Sequence, residues 1–134
     1  MKRILCILLL AAVTVSVLAG CQGKGRQVSC DEVMRAYKEA GYEVSHRDYP
    51  EKEYGYVCMV RIEEEDGDSI EFHFHETEEE AEAEAEERQW NVLLWGFSVI
   101  YGEPTWLTTE SHYNIEIEYD DDALIEPFRK LVKG

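Results

Sequence analysis

The sequence is poor in positive charge. Its 134 residues include 13 Lys and Arg against 29 Asp and Glu, which gives a formal net charge of −16 at pH 7. A surface this acidic repels the phosphates of nucleic acids and the headgroups of anionic lipids. We therefore expect no nucleic-acid partner, and we expect any ligand to be cationic, neutral or a metal ion.

The sequence also lacks the motifs of several large enzyme classes. It contains no Gly-x-Ser-x-Gly nucleophile elbow, no Gly-rich phosphate-binding loop and no His-Glu-x-x-His zinc-protease motif. Its cysteines form no Cys-x-x-Cys redox pair. These absences favour a protein that is not an enzyme and that uses no cofactor.

No apolar run is long enough for a permanent membrane span. Residues 4–18 are apolar except for two hydroxyl side chains, but a helix needs roughly 18 to 20 residues to cross the bilayer core. The run follows the basic start Lys2-Arg3 and ends in small residues. This is the pattern of a secretory signal rather than of a domain element.

The signal closes on the quartet Leu18-Ala19-Gly20-Cys21. This quartet resembles the lipobox of bacterial lipoproteins, in which the signal is cut before the cysteine and lipid is attached to that cysteine. The resemblance implies that residues 1–20 are removed and that Cys21 is lipidated. The rest of the chain would then be anchored to the cell membrane, facing outside the cytoplasm. An ordinary secretory signal that happens to end in cysteine and an uncleaved anchor are the alternatives.

Removal of the signal leaves one domain's worth of chain. The signal carries two basic residues and no acidic one, so the mature chain has 11 basic and 29 acidic residues and a net charge of −18. All 15 aromatic residues lie in this part, which indicates a folded domain rather than a disordered acidic segment. We expect residues 21–28 to be the lipidated cysteine and a short tether, with Lys24 and Arg26 near the lipid headgroups. Residues 29–134 would form a single small acidic domain.

Two cysteines remain after the signal and the lipidation site, namely Cys30 and Cys58. An even pair in an exported protein predicts a disulfide. Two buried thiols are the alternative. Because Cys58 falls on the inward side of a predicted strand and Cys30 in the first turn of a covering helix, the two side chains can meet.

Hydrophobic periodicity predicts an α+β fold in the order α-β-β-α-β-β-α. We expect an antiparallel sheet of four to five strands with helices packed on one face. Helix starts are indicated by two capping boxes, and Asp66-Gly67 predicts a hairpin turn. Asp120 to Asp122 offer a cap and first-turn acids for the last helix. Because Pro127 removes a backbone donor there, either the helix starts late, near Glu126, or a loose turn precedes it. Extended segments are expected at residues 42–49, 56–62, 70–75, 98–101, 106–110 and 113–119.

His73 and His75 are the strongest candidates in the sequence for metal-ligating residues. Two positions apart on a predicted strand, they share a face with Glu71, and His112 and Glu116 can join them if two strands are neighbours. Imidazole and carboxylate together suit zinc or copper, so a metal site at the two histidines is one hypothesis. The apolar residues that alternate with them favour another, in which this polar face points outward into water.

The sequence therefore predicts a membrane-anchored lipoprotein whose domain is a non-enzymatic binding or interaction module at the cell envelope. The partner would be an envelope protein, a glycan or a cationic ligand. The tryptophans Trp90, Trp95 and Trp106 can line a groove for a sugar. A metal-binding lipoprotein that uses His73 and His75 is the alternative function.

Overall fold

A computed structural model describes residues 24–96 and 107–134. The predicted signal, the predicted lipidation site and the predicted strand at 98–101 lie outside the described residues. The described elements are the helices α1 (Cys30–Glu39), α2 (Glu78–Gly96) and α3 (Asp122–Lys133), and the strands β1 (Ser45–Asp48), β2 (Cys58–Glu63), β3 (Ser69–Phe74), β4 (Thr108–His112) and β5 (Ile115–Tyr119). The predicted α+β class is confirmed.

The predicted caps start the first two helices. The Ser29 side chain accepts a hydrogen bond from the Glu32 N–H, and the Glu32 carboxylate accepts one from the Ser29 N–H at 2.8 Å, so the capping box of α1 is confirmed. The Thr77 hydroxyl accepts a hydrogen bond from the Glu80 N–H at 3.2 Å, just before α2. Each side chain satisfies a backbone donor that the helix itself leaves unpaired.

Helix α3 begins earlier than its proline predicts. Asp121 caps the helix by accepting a hydrogen bond from the Ala123 N–H at 2.9 Å, and Pro127 lies inside the helix. The cap predicted among Asp120 to Asp122 is therefore confirmed, and the alternative of a start near Glu126 is wrong. The cap and the buried apolar side chains of α3 outweigh the backbone hydrogen bond that Pro127 removes.

The five strands form one antiparallel sheet in the order β1-β2-β3-β5-β4. The hairpin between β2 and β3 is confirmed, and its turn contains Gly67 at φ 97°, a conformation that glycine adopts without steric cost. This order places β3 in the centre of the sheet, paired with β2 on one side and β5 on the other. His73, in β3, and His75, directly after it, therefore lie at the middle of the sheet.

One face of the sheet packs against α1 and α3 and forms the apolar core. Tyr37 of α1 and Phe128 of α3 both contact Phe72 at the centre of this face, with ring centroids 5.4 and 5.2 Å apart. The disulfide between Cys30 and Cys58, which the sequence predicts, joins α1 to β2 at the edge of this core. The apolar residues of β2, β3 and β5 alternate onto this face as predicted.

Helix α2 lies against the opposite face. Its Arg88 forms ion pairs with Glu116 and Glu118 of β5. Two of its own alanines, Ala81 and Ala85, are buried. The prediction that helices pack on one face is therefore wrong for α2. Because the buried residues in the described part of α2 are alanines one turn apart, the helix can approach the sheet closely there.

Residues 24–28, which we expected to be part of the tether, lie against the domain. Val28 is buried, and the Arg26 N–H donates a hydrogen bond to the Val132 carbonyl at 2.9 Å. Lys24 and Arg26 pair with glutamates of the domain, Glu78 and Glu32 respectively. None of the helices within residues 24–96 and 107–134 has the length and hydrophobicity that crossing a bilayer requires.

Candidate functional site: a buried polar cluster beneath α2

His73 and His75 are buried. Each is 2% exposed, and both imidazoles contact one oxygen of Glu116, so the predicted shared face is confirmed. The prediction that this face points into water is wrong. Helix α2 covers part of the face, and the Tyr56 ring stacks on His73 with centroids 4.4 Å apart and planes within 4°.

Glu116 is the centre of the cluster. It pairs with His73 in the register of β3 and β5, and its side chain is completely buried. Its Oε2 lies 3.4 Å from His73 Nδ1 and 3.3 Å from His75 Nε2, while its Oε1 lies 2.5 Å from Arg88 Nε. One carboxylate therefore holds two imidazoles and a guanidinium. Strand alternation indicates Glu116 as a possible member of this cluster, but it does not indicate Arg88, because nothing in the sequence shows which helix covers this face.

The outer part of the cluster contains two further carboxylates. Glu71 Oε2 lies 3.0 Å from His73 Nε2, and the other oxygen of Glu71 pairs with Arg61. Glu118 pairs with Arg88 at 3.1 Å. One ligand atom from each of Glu71, His73 and Glu118 lies within 4.8 Å of the other two. These three side chains can bind a metal ion together.

His75 does not belong to this ligand group. Its Nδ1 lies 3.2 Å from the Gly55 carbonyl oxygen, and its Nε2 faces Glu116. Both ring nitrogens are therefore engaged. The structure therefore brings His73, but not His75, together with two carboxylates in this group.

His112 lies on the opposite face. It pairs with Ile115 in the register of β4 and β5, and its ring contacts Phe128 in an edge-to-face arrangement with centroids 5.3 Å apart. The chain reverses between the two residues, at Tyr113, whose φ is 52°. His112 therefore belongs to a different strand from Glu116 and does not join the cluster.

The cluster contains opposite charges that stabilise each other. Burial disfavours the protonated form of His73, but hydrogen bonds to Glu116 and Glu71 outweigh this and raise its pKa to about 9. Burial likewise disfavours ionised Glu116, but hydrogen bonds from His73 and His75 outweigh this and lower its pKa to about 2. In contrast, burial raises the pKa of Glu118 above its usual value. At neutral pH the centre of the cluster is an imidazolium–carboxylate pair.

A group of carboxylates at the hairpin turn and one of the predicted groove tryptophans lie at the surface. Glu64, Asp66 and Asp68 bring three carboxylates within 4.8 Å of one another at the hairpin turn, where Asp66 accepts a hydrogen bond from the Asp68 N–H. Trp90 is 60% exposed and lines a shallow groove with Glu86. Trp106 and the side chain of Trp95 lie outside the described part of the chain.

No protein-family model matches the sequence, and comparisons with curated proteins and with solved structures find no match.

Proposed function

We propose that the chain is a lipoprotein, anchored to the cell membrane through Cys21, with a non-enzymatic binding domain on the outer side of that membrane. The support for the anchor is the Leu18-to-Cys21 quartet after a basic start and an apolar run. The test is incorporation of a labelled fatty acid. Cys21→Ser should abolish labelling, whereas Cys6→Ser should leave it unchanged. Equal labelling of the Cys21→Ser variant and the wild type would rule out the anchor.

We further propose that the domain binds a divalent transition-metal ion at Glu71, His73 and Glu118. The observation that carries this proposal is the proximity of their three ligand atoms, all within 4.8 Å of one another. One imidazole and two carboxylates suit zinc and related ions, and His73 would release to solvent the proton that it carries in the metal-free cluster when the ion binds. Glu116 holds the other nitrogen of His73, at 3.4 Å, which is the carboxylate–histidine arrangement that orients metal-binding imidazoles.

A metal ion can reach the cluster from solvent, and the cluster is also stable without one. The side chains of Glu71 and Glu118 are 22% and 17% exposed, so an ion can reach them from solvent. Arg61 and Arg88 pair with these carboxylates and compensate for their charge. We favour binding over catalysis because the buried side chains of His73, His75 and Glu116 contact one another.

The test is zinc-dependent stabilisation of the full chain with its disulfide intact. Zinc at 100 times its dissociation constant should raise the free energy of unfolding by about 2.7 kcal/mol. His73→Gln and Glu118→Gln should lose this increment, whatever their stability without zinc. His112→Gln, which removes an imidazole from the opposite face, should retain it. An equal increment in all four proteins, or none in the wild type, would contradict the proposed site.

A further inference from the structure

A second group of metal-ligating side chains lies on the core face of the sheet, at its β1 edge. Cys30 is the first residue of α1, Cys58 is the first of β2, and His46 belongs to the edge strand β1. Both sulfurs and one imidazole nitrogen of His46 lie within 4.8 Å of one another. The polar cluster around Glu116 lies on the other face and shares none of these residues.

His46 is oriented by a carboxylate. Its Nε2 lies 3.0 Å from Asp48 Oδ1, which leaves Nδ1 as the nitrogen available to bind an ion. A carboxylate on the remote nitrogen of an imidazole is the usual outer support of metal-binding histidines. All four residues of β1 are exposed to solvent, so an ion can reach this edge.

We propose that reduction of the Cys30–Cys58 disulfide creates a site for a thiophilic metal ion of the zinc class. Cys30, Cys58 and His46 are the ligands, and Asp48 is a positioning residue. Two thiolates and one imidazole form a ligand set that zinc prefers, and three protein ligands leave a fourth position for water. The oxidised pair has no thiolate to offer, so the bound ion reports the redox state of the pair.

The spacing of the two cysteines suits the metal-bound state. Their Cα atoms are 7.2 Å apart, farther than the roughly 4.4 to 6.8 Å that is usual for a disulfide. Two sulfurs that each bind zinc at about 2.3 Å stand farther apart than two bonded sulfurs. Cys30 also lies in the first turn of α1, where the helix dipole favours a thiolate.

The conversion needs a dithiol as reductant. Thiol–disulfide exchange breaks the Cys30–Cys58 bond, transfers two electrons and two protons to the pair, and leaves the reductant as its own disulfide. When the ion binds, both sulfurs release their protons to solvent as the two metal–sulfur bonds form.

The experiment uses the full chain in detergent, with Cys6→Ser and Cys21→Ser so that the pair supplies its only thiols. Co²⁺ is the probe, because thiolate-to-cobalt charge transfer absorbs in the near ultraviolet. The reduced chain should develop this band, the band should reach a plateau as Co²⁺ is added, and it should be lost when excess Zn²⁺ is added. The oxidised chain should not develop it. Circular dichroism follows folding in every sample.

Variants separate this site from adventitious thiol binding. His46→Gln and Asp48→Asn should each weaken Co²⁺ binding by at least about tenfold, while His112→Gln should bind as the parent does. A folded reduced chain without the band would overturn the proposal, and so would a band of unchanged affinity in both His46→Gln and Asp48→Asn. If reduction unfolds the chain, recovery of the native circular dichroism on adding Co²⁺ supports the site, and failure to recover overturns it.

Discussion

His73 and Glu116 lie opposite each other on neighbouring strands, with His73 Nδ1 3.4 Å from Glu116 Oε2, and both side chains are almost completely inaccessible to solvent. Each group provides the charge that makes burial of the other tolerable. The pairing therefore determines what the polar face of the sheet can do. It keeps an imidazole oriented beneath a helix, with its second nitrogen directed towards the carboxylate of Glu71.

Removing the charge of Glu116 should strongly destabilise the fold. Glu116→Gln leaves protonated His73 and Arg88 in a buried site without their common partner, and breaking buried ion pairs in this way costs about 3 to 5 kcal/mol. Urea denaturation of the metal-free chain measures the loss. Glu87→Gln, an exposed position on α2, should change the free energy of unfolding by no more than about 0.5 kcal/mol. A similar effect of both substitutions would contradict the assigned role of Glu116.

Stability of the metal-free chain should depend on pH in two windows. The pKa of His73 is raised from 6.5 to about 9, so its contribution is complete below about pH 6.5 and is lost as the pH rises through 9. The pKa of Glu116 is lowered from 4.5 to about 2, so its contribution is complete above about pH 4.5 and is lost as the pH falls through 2. Each contribution is on the order of 3 kcal/mol.

Urea denaturation at each pH, with a chelator present, gives this profile. Glu71 and Glu116 on the sheet, Arg88 on α2 and Tyr56 in the loop before β2 all face His73 or its immediate partner. His73→Gln removes only the imidazole from this set. The variant should lose most of the decline between pH 6.5 and 9, and a decline as steep as in the wild type would show that another group causes it.

Close packing of α2 on the sheet can be tested with two alanines. Ala85 and Ala83 both belong to α2, but Ala85 is buried and Ala83 is exposed. Ala85→Leu should destabilise the domain by about 1 to 3 kcal/mol, because the added methylenes overfill a packed contact. Ala83→Leu should have little effect on thermal or urea unfolding. Equal tolerance of both would mean that α2 does not pack on this face in solution.

The docking of residues 24–28 can be tested at Gly25. Its φ is +70°, and a Cβ added there would lie 2.7 Å from the Val132 carbonyl oxygen. Gly25→Ala should therefore destabilise the domain by more than about 1 kcal/mol. Gly41→Ala is the matched control, since Gly41 also has a positive φ but an added Cβ would meet nothing within 4 Å. The excess loss at Gly25 in a urea titration measures the docking contact, and the absence of an excess would show that residues 24–28 are free.

The sequence predicts which side chains share a face but not what covers that face. Alternation correctly places His73 with Glu71, and apart from the apolar residues between them. It cannot show that α2 crosses this face, because the buried residues in the described part of α2 are two alanines, Ala81 and Ala85, within a run of glutamates. The partner of the buried charges, Arg88, is visible only once the helix is positioned.

The turn after β4 illustrates a second limit. Residues 112–119 alternate as one strand would, but the chain reverses at Tyr113 with a φ of 52°. Turns of this conformation are usually marked by glycine or asparagine, and a tyrosine gives no such signal. Pairing of Cys30 with Cys58 was predictable because only two cysteines follow Cys21 in the sequence. The approach of His46 to them depends on the register of the edge strand.

The most direct test of the central claim is anomalous diffraction at the zinc edge from crystals of the disulfide-intact protein grown with zinc. The account predicts an anomalous peak about 2.0 to 2.2 Å from His73 Nε2 and from an oxygen of Glu71 and of Glu118, and its loss in His73→Gln crystals. Crystals of the wild type that show a metal-free cluster at saturating zinc, with His73 still bound to Glu71, would contradict it.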